Sequence, residues 1–233
     1  MNAARRAARA GRNLLLAVLV GGLIVVAIVV AYVAGGNASG PSPGSSGANG
    51  STPVPTGRET AADVAPTGCF GGSSLDSAML LRAQAEAPRT TFGAVEVAAA
   101  FFRWGYRYPP PSNSEISRVA ALFPESGRAD AQRSLRASYR QNPNPASGVV
   151  TDGMAFQLST VSGSWLASAE GKDDDVTVSV QAAMVIDGAL SPTKTSAEAF
   201  SMTWESGGWR IVRFDAADTA GLQAGGTAFT AGC

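Results

Sequence analysis

From Leu14 to Val33 the chain reads "LLLAVLVGGLIVVAIVVAYV", without a single charge. No other feature limits the possible structures so much. At about 1.5 Å of rise per helical residue, roughly 20 such residues cross a hydrocarbon core of about 30 Å. Arg5, Arg6, Arg9 and Arg12 precede the run, and no acid appears before Glu59. Basic flanks stay in the cytoplasm, so everything after Gly35 is expected outside. The sequence predicts a basic cytoplasmic tail over 1–13 and a transmembrane helix over 14–34. A cleaved signal peptide would need a shorter apolar core of roughly 7–15 residues, with Ala34-Gly35-Gly36 as its cleavage site. The length favours an uncleaved anchor in the plasma membrane. Cys69 follows Pro66-Thr67-Gly68, far from any apolar run, which is not the setting of a lipoprotein.

The stretch after the span, "GGNASGPSPGSSGANGSTPVPTG", is Gly, Ser, Pro, Asn and Thr with almost nothing to bury. It predicts a disordered linker over 35–66, with an end-to-end distance of roughly 30 Å from Gly35 to Pro66. An extracytoplasmic domain is expected over 67–233. Cys69 opens that domain and Cys233 ends the chain. Outside the membrane such a pair is expected to oxidise, tying both ends of the domain together. An intermolecular bridge is the alternative. No CxxC is present, so redox catalysis has no motif.

Two zeros narrow the chemistry. Lys+Arg and Asp+Glu both number 18, so the formal net charge is zero and no basic domain points to nucleic acid. Histidine is absent, which removes Ser-His-Asp hydrolysis, Cys-His nucleophiles and His-bearing zinc sites. Asp173, Asp174 and Asp175 are consecutive, so they point apart and miss the spacing of a calcium loop. No cofactor and no metal are expected.

Helical periods come first along the domain. "SSLDSAMLLRAQAEAP" has a cap at Ser73 or Ser74 and recurring Leu75, Met79 and Leu80. A second helix is predicted over Gly93–Tyr106, apolar over a wide arc through Val97, Ala98, Phe101, Phe102 and Trp104, as suits burial against a sheet. Ser112 stands three before Glu115, the pattern of a capping box. A fourth helix places Leu135 and Tyr139 on its apolar side.

After Pro145 the period becomes two. Val176, Val178, Val180, Ala182, Met184 and Ile186 share one face of a strand, while Thr177, Ser179, Gln181 and Asp187 share the other. "GMAFQLSTVSGSWLASAEG" predicts one long bent strand, or two, with the bend at Ser162-Gly163-Ser164. Around Ser206-Gly207-Gly208 the chain folds back into a hairpin. Either two-residue register puts Phe200, Met202, Trp204, Trp209 and Ile211 on one side, and Arg210 opposite Thr203 or Glu205 on the other. That apolar side covers a helix, so the two tryptophans are core rather than pocket wall.

Helices followed by antiparallel strands give an α+β class. Their order, the long bent strand and the final W-x4-W hairpin resemble the cone-shaped, nuclear-transport-factor-2-like (cystatin-like) fold over roughly Phe92 to Asp215. That resemblance implies a curved antiparallel sheet wrapping the Ala94–Tyr106 helix. A basic tail, one span, a tether and such a domain resemble bacterial envelope assembly proteins, among them type IV secretion scaffold subunits and Gram-positive conjugation proteins. "GCFGGSSLDSAMLLRAQAEAPRTTFGAVEVAAAFFRWGYRYPPPS" is similar to actinobacterial membrane proteins associated with such elements. The resemblance implies non-enzymatic scaffolding, with other envelope proteins as partners and self-association.

Candidate groups follow. Some members of the fold are enzymes using an Asp with a His or Tyr. Here Asp152, Glu170, Asp187, Glu198 and Asp215 are the carboxylates to weigh, and none is predicted in the middle of an inward face. Phe102, Trp104, Tyr106 and Tyr108 lead into Pro109-Pro110-Pro111, and those that emerge at the rim are candidates for a partner surface. Arg133, Arg136 and Arg140 line one helix face at i, i+3 and i+7, for an acidic partner or for solvent. The expected function is a membrane-anchored envelope scaffold, and the alternative is a solute- or lipid-binding module using the cavity of the fold.

Overall fold

The computed structural model describes residues 64–169 and 174–233. The expected tail 1–13, span 14–34 and all but the end of the linker 35–66 lie outside them, as do Glu170 to Asp173. Among the described residues no helix is long and apolar enough to cross a membrane. Pro66 already belongs to the packed unit: it is buried, and its carbonyl accepts from Thr230 N at 3.0 Å.

Four helices precede the sheet. α1 spans Ser77–Glu86 and α2 spans Thr91–Gly105. α3 spans Asn113–Arg118 and passes into a short 3-10 turn over Val119–Leu122, and α4 spans Arg128–Gln141. Each begins where a side chain or turn supplies acceptors. The cap of α1 is Asp76, whose carboxylate accepts from Met79 N at 2.8 Å, rather than Ser73 or Ser74. A carboxylate at that position also answers the positive helix end. Thr90 caps α2 through Gly93 N. Ser112 and Glu115 form the expected capping box on α3.

Five antiparallel strands form one sheet in the order β4-β3-β2-β1-β5. They are β1 Phe156–Ala169, β2 Asp175–Ile186, β3 Ala189–Glu205, β4 Gly208–Asp215 and β5 Thr227–Ala228. The class is α+β. Two turns have the positive φ angles that match the twist of hairpin strands: Asp187 (51°) with Gly188 (80°), and Ser206 (51°) with Gly207 (76°). In β1 the register slips between Ser159 and Ser164, where the bend is predicted, so three extra residues are absorbed there. The alternation of β2 holds, with Val176, Val178, Val180, Ala182 and Met184 all buried. Trp204 faces Trp209 across the final hairpin, rings edge to face at 5.5 Å. Trp209 is fully buried and donates its indole N–H to Pro88 O at 2.9 Å. Trp209 belongs to the core, and Trp204 is half-buried and packed against it.

The inner face of the sheet lies against α2. Every residue of α2 from Gly93 to Gly105 is buried, because α1, the strap 66–72 and the sheet enclose it on all sides. Phe101 alone meets Trp104, Phe123, Phe200 and Phe214 within ring-contact distance. On the outer face a short helix, α5 (Thr219–Gly225), rests on β1 and β2 with Leu222 buried; Asp218 N donates to the Ser179 hydroxyl at its start. The sequence reading contains neither α5 nor β5.

Two charged residues sit inside this apolar packing. Glu96 and Arg103, both 2 % exposed, project from α2 toward the strap. The Glu96 carboxylate accepts from the backbone N–H groups of Thr67, Gly68 (3.1 Å) and Phe70 (3.4 Å) and from the Thr67 hydroxyl (2.8 Å). Arg103 donates to Gly68 O and Gly72 O. Burial lowers the Arg103 pKa, and the Glu96 charge opposes that. The C-terminal segment closes over the same place. Gly232 N donates to Thr67 O (2.8 Å), Cys233 N to the Thr160 hydroxyl (2.9 Å), and Thr160 N to Cys233 O (2.8 Å). Gly232 has φ +79° with Val161 Cα 2.3 Å from where a Cβ would stand, so only glycine passes there. Cys69 and Cys233 are bonded, with Cα atoms 5.5 Å apart and a sequence separation of 164.

Two stability outcomes follow. Opening the disulfide, by Cys69→Ser with Cys233→Ser or by a reductant, lowers unfolding free energy by about 2–5 kcal/mol; an unchanged urea midpoint would contradict the clamp. Glu96→Ala strands four donors and the Arg103 charge in the interior, and costs about 3–5 kcal/mol. Glu96→Ala with Arg103→Met recovers part of the loss in the same melt.

Candidate functional site

Most polar chemistry gathers at one end of the molecule, where α2 ends and the β2–β3 turn begins. Tyr106 caps α2, and the chain then runs Arg107-Tyr108-Pro109 across the start of β1. Tyr108 pairs with Phe156 in both directions: Tyr108 N to Phe156 O at 2.9 Å, and Phe156 N to Tyr108 O at 3.2 Å. The Tyr108–Pro109 peptide is cis. An open groove of about 290 Å³ lies beside this bridge, walled by Leu75, Tyr108, Pro109, Phe156 and Val185, with Arg107 and Gln157 at its polar side.

On the inner face, midway along β3, stands Glu198. It lies opposite Val180, and so points with Phe200 and Met202 toward α2. This corrects the expectation that no candidate carboxylate faces inward. The alternation from Phe200 and Met202, extended two residues back, would have placed it. Burial pushes its pKa up from the ordinary 4.5 to about 8, and the nearby Asp215 carboxylate adds to the rise. Tyr106 donates its hydroxyl to Pro145 O at 3.0 Å. Burial raises its pKa to about 12; a hydrogen bond from Ser196 lowers it, and the Glu198 charge raises it. Tyr106, Ser196 and Glu198 thus form one cluster, in which burial disfavours the charged forms of both Tyr106 and Glu198.

The other candidate carboxylates are dispersed. Asp152 accepts from the Asn144 amide at 3.2 Å. Asp187 occupies its hairpin turn and is exposed. Asp215 accepts from Ser201 and from Arg213 on the outer face. Glu170 lies outside the described residues. Asp174 pairs with Arg89, whose Nε donates to Oδ1 at 2.7 Å. Among the described residues no group of three or more His, Cys, Asp or Glu side chains is placed to hold a metal ion.

The aromatic run separates into two parts. Phe102 (4 % exposed), Trp104 (0 %) and Tyr106 (6 %) are core residues, which corrects their candidacy for a partner surface. The whole circumference of α2 is covered, so no rim remains for them. Tyr108 alone of the four is half-buried and borders the groove. On α4, Arg133 pairs with Asp130 one turn away, and Arg136 donates to the Ser117 hydroxyl at 2.7 Å. Arg133 and Arg140 are exposed and Arg136 is half-buried, so this face remains accessible. No protein-family model, curated protein or solved structure matches the chain.

The sign of the pH dependence follows from Glu198. Its folded pKa lies above the unfolded one, so the folded state binds the extra proton. Stability from this group is fully present below about pH 4.5 and is lost as pH rises through about 8. Urea unfolding across pH 5 to 9 is expected to show that decline, on the order of a few kcal/mol. Glu198→Gln flattens it and is the more stable form at pH 9. A variant that keeps the slope of the native chain would assign the effect elsewhere.

Proposed function

We propose that this chain is a non-enzymatic, membrane-anchored scaffold of a bacterial envelope complex, of the conjugation or type IV secretion kind. Its domain 67–233 stands outside the plasma membrane on the tether 35–66, in the cone-shaped arrangement of the nuclear-transport-factor-2-like fold. The supporting observation is the filled inner face. A binding module of this architecture needs open space between helix and sheet. Here Phe101, Trp104 and Phe200 occupy it at no more than 5 % exposure. The groove of about 290 Å³ lies at the edge and falls at the lower bound of the roughly 300–1,000 Å³ typical of ligand pockets. Both features favour a scaffold over a solute or lipid carrier. The disulfide fits an oxidising compartment, the side of the membrane opposite the basic N-terminus. Partner contacts are assigned to the accessible arginine face of α4 and to self-association.

Crosslinking the tagged full-length chain in its native membrane, followed by purification and mass spectrometry, tests this reading. Co-recovery of an envelope ATPase and channel subunits is expected. Glu substitutions at Arg133, Arg136 and Arg140 are expected to reduce that recovery at least severalfold. Recovery of the chain alone, carrying lipid or a small molecule, would overturn the reading.

A further inference from the structure

The groove beside Tyr108 has a fixed wall, because Tyr108 and Phe156 exchange both backbone hydrogen bonds. Arg107 and Gln157 line its polar side, and Arg107 is held there by Nη2 donating to Glu115 Oε1 at 2.7 Å. Apolar surface continues outward from the groove. Leu190, opposite the wall residue Val185, is 46 % exposed, and Met154, next to the lining residue Ala155, is 37 % exposed. The groove therefore suits a short, extended, apolar segment with free carbonyls, and about 290 Å³ admits only a few small side chains.

We propose that the groove is the docking site of the chain's own tether, through Thr52-Pro53-Val54-Pro55-Thr56 in the extended polyproline conformation. Three observations select this occupant. Val54 is the one large apolar side chain between Gly35 and Asp63, and prolines flank it on both sides. Such a segment has its φ angles preset and its carbonyls unpaired, which is what aromatic, proline-binding grooves exploit. Reach is sufficient. The strap enters at Pro66, held by Thr230, and the adjoining Cys233 pairs with Thr160, four residues along β1 from Phe156. That is about 13 Å at roughly 3.3 Å per strand residue, while the eleven residues from Pro55 to Pro66 extend to about 36 Å. Covalent attachment holds the segment at an effective concentration in the millimolar range, so even a weak site is filled. Docking leaves only Gly35 to Ser51 free, and shortens the tether from roughly 30 Å to roughly 23 Å. The docking does not depend on the scaffold reading.

Backbone amide hydrogen exchange of the full-length protein tests it. The variant Pro53→Gly, Val54→Gly, Pro55→Gly alters only the tether and leaves the domain to fold as before. Exchange over residues 106–108 and 154–158 is expected to accelerate about tenfold in the variant, with β2 and α1 unchanged. A synthetic peptide covering Ser51–Gly57, added in millimolar excess, is expected to restore the slow exchange. Tyr108→Ala is expected to expose the same groove amides in a chain with a native tether. Identical exchange in native and variant chains would overturn the proposal. So would protection that rises with protein concentration, which would place a second copy's tether in the groove.

Discussion

One carboxylate organises the base of this domain. Glu96 lies in the middle of a helix whose surroundings are otherwise apolar, and it gathers the backbone N–H groups of Thr67, Gly68 and Phe70. Left alone, each of those buried donors would be costly, and so would the Arg103 charge about two helical turns further on. Glu96 answers the strap's N–H groups, Arg103 answers the carbonyls of Gly68 and Gly72, and together they fix the strap against α2. The strap in turn gives the C-terminal segment its partners, at Pro66 and Thr67. The slipped register of β1 then presents Thr160 to Cys233. Sheet, helix and both ends of the domain therefore meet around a single buried charge pair, and the disulfide closes over it.

The same arrangement explains why α2 is fully buried. A helix that packs on a sheet normally keeps one face in water. Here the face opposite the sheet is where Glu96 and Arg103 point, and the strap and α1 cover it. Aromatic side chains that would emerge at the end of a half-covered helix are instead packed among Phe123, Phe156 and Phe200. The space between helix and sheet is filled by Phe101, Trp104 and Phe200, and further polar groups stand at Glu198 and beside the groove.

Much of this was readable because it is local. The alternation of β2, the capping box at Ser112, the hairpin turn at Ser206-Gly207 and the apolar side of the last hairpin depend on neighbours in sequence. What escaped the sequence depends on distant partners. Glu96 looks like a solvent-facing residue until residues 29 positions earlier supply its donors. Glu198 stands two residues ahead of the apolar Phe200–Met202 alternation, so its inward position shows only when the strand is paired with β2. α5, rich in Gly and Ala, has a weak period and is held by the outer face of β1 and β2. The buried positions of Phe102 and Tyr106 follow from the cover on α2, which no periodicity in α2 itself can reveal.

The convergence of strap and C-terminal segment has a mechanical meaning. A pull on the chain ahead of Pro66 arrives at that residue, whose bonds to Thr230 run across the two segments. Three residues later the load meets a covalent link to the last residue. The strap cannot peel away from β1 by itself, because Cys233 must travel with it. Both segments detach in one event or hold together, so tension at this edge is resisted by two strands acting as a single cord.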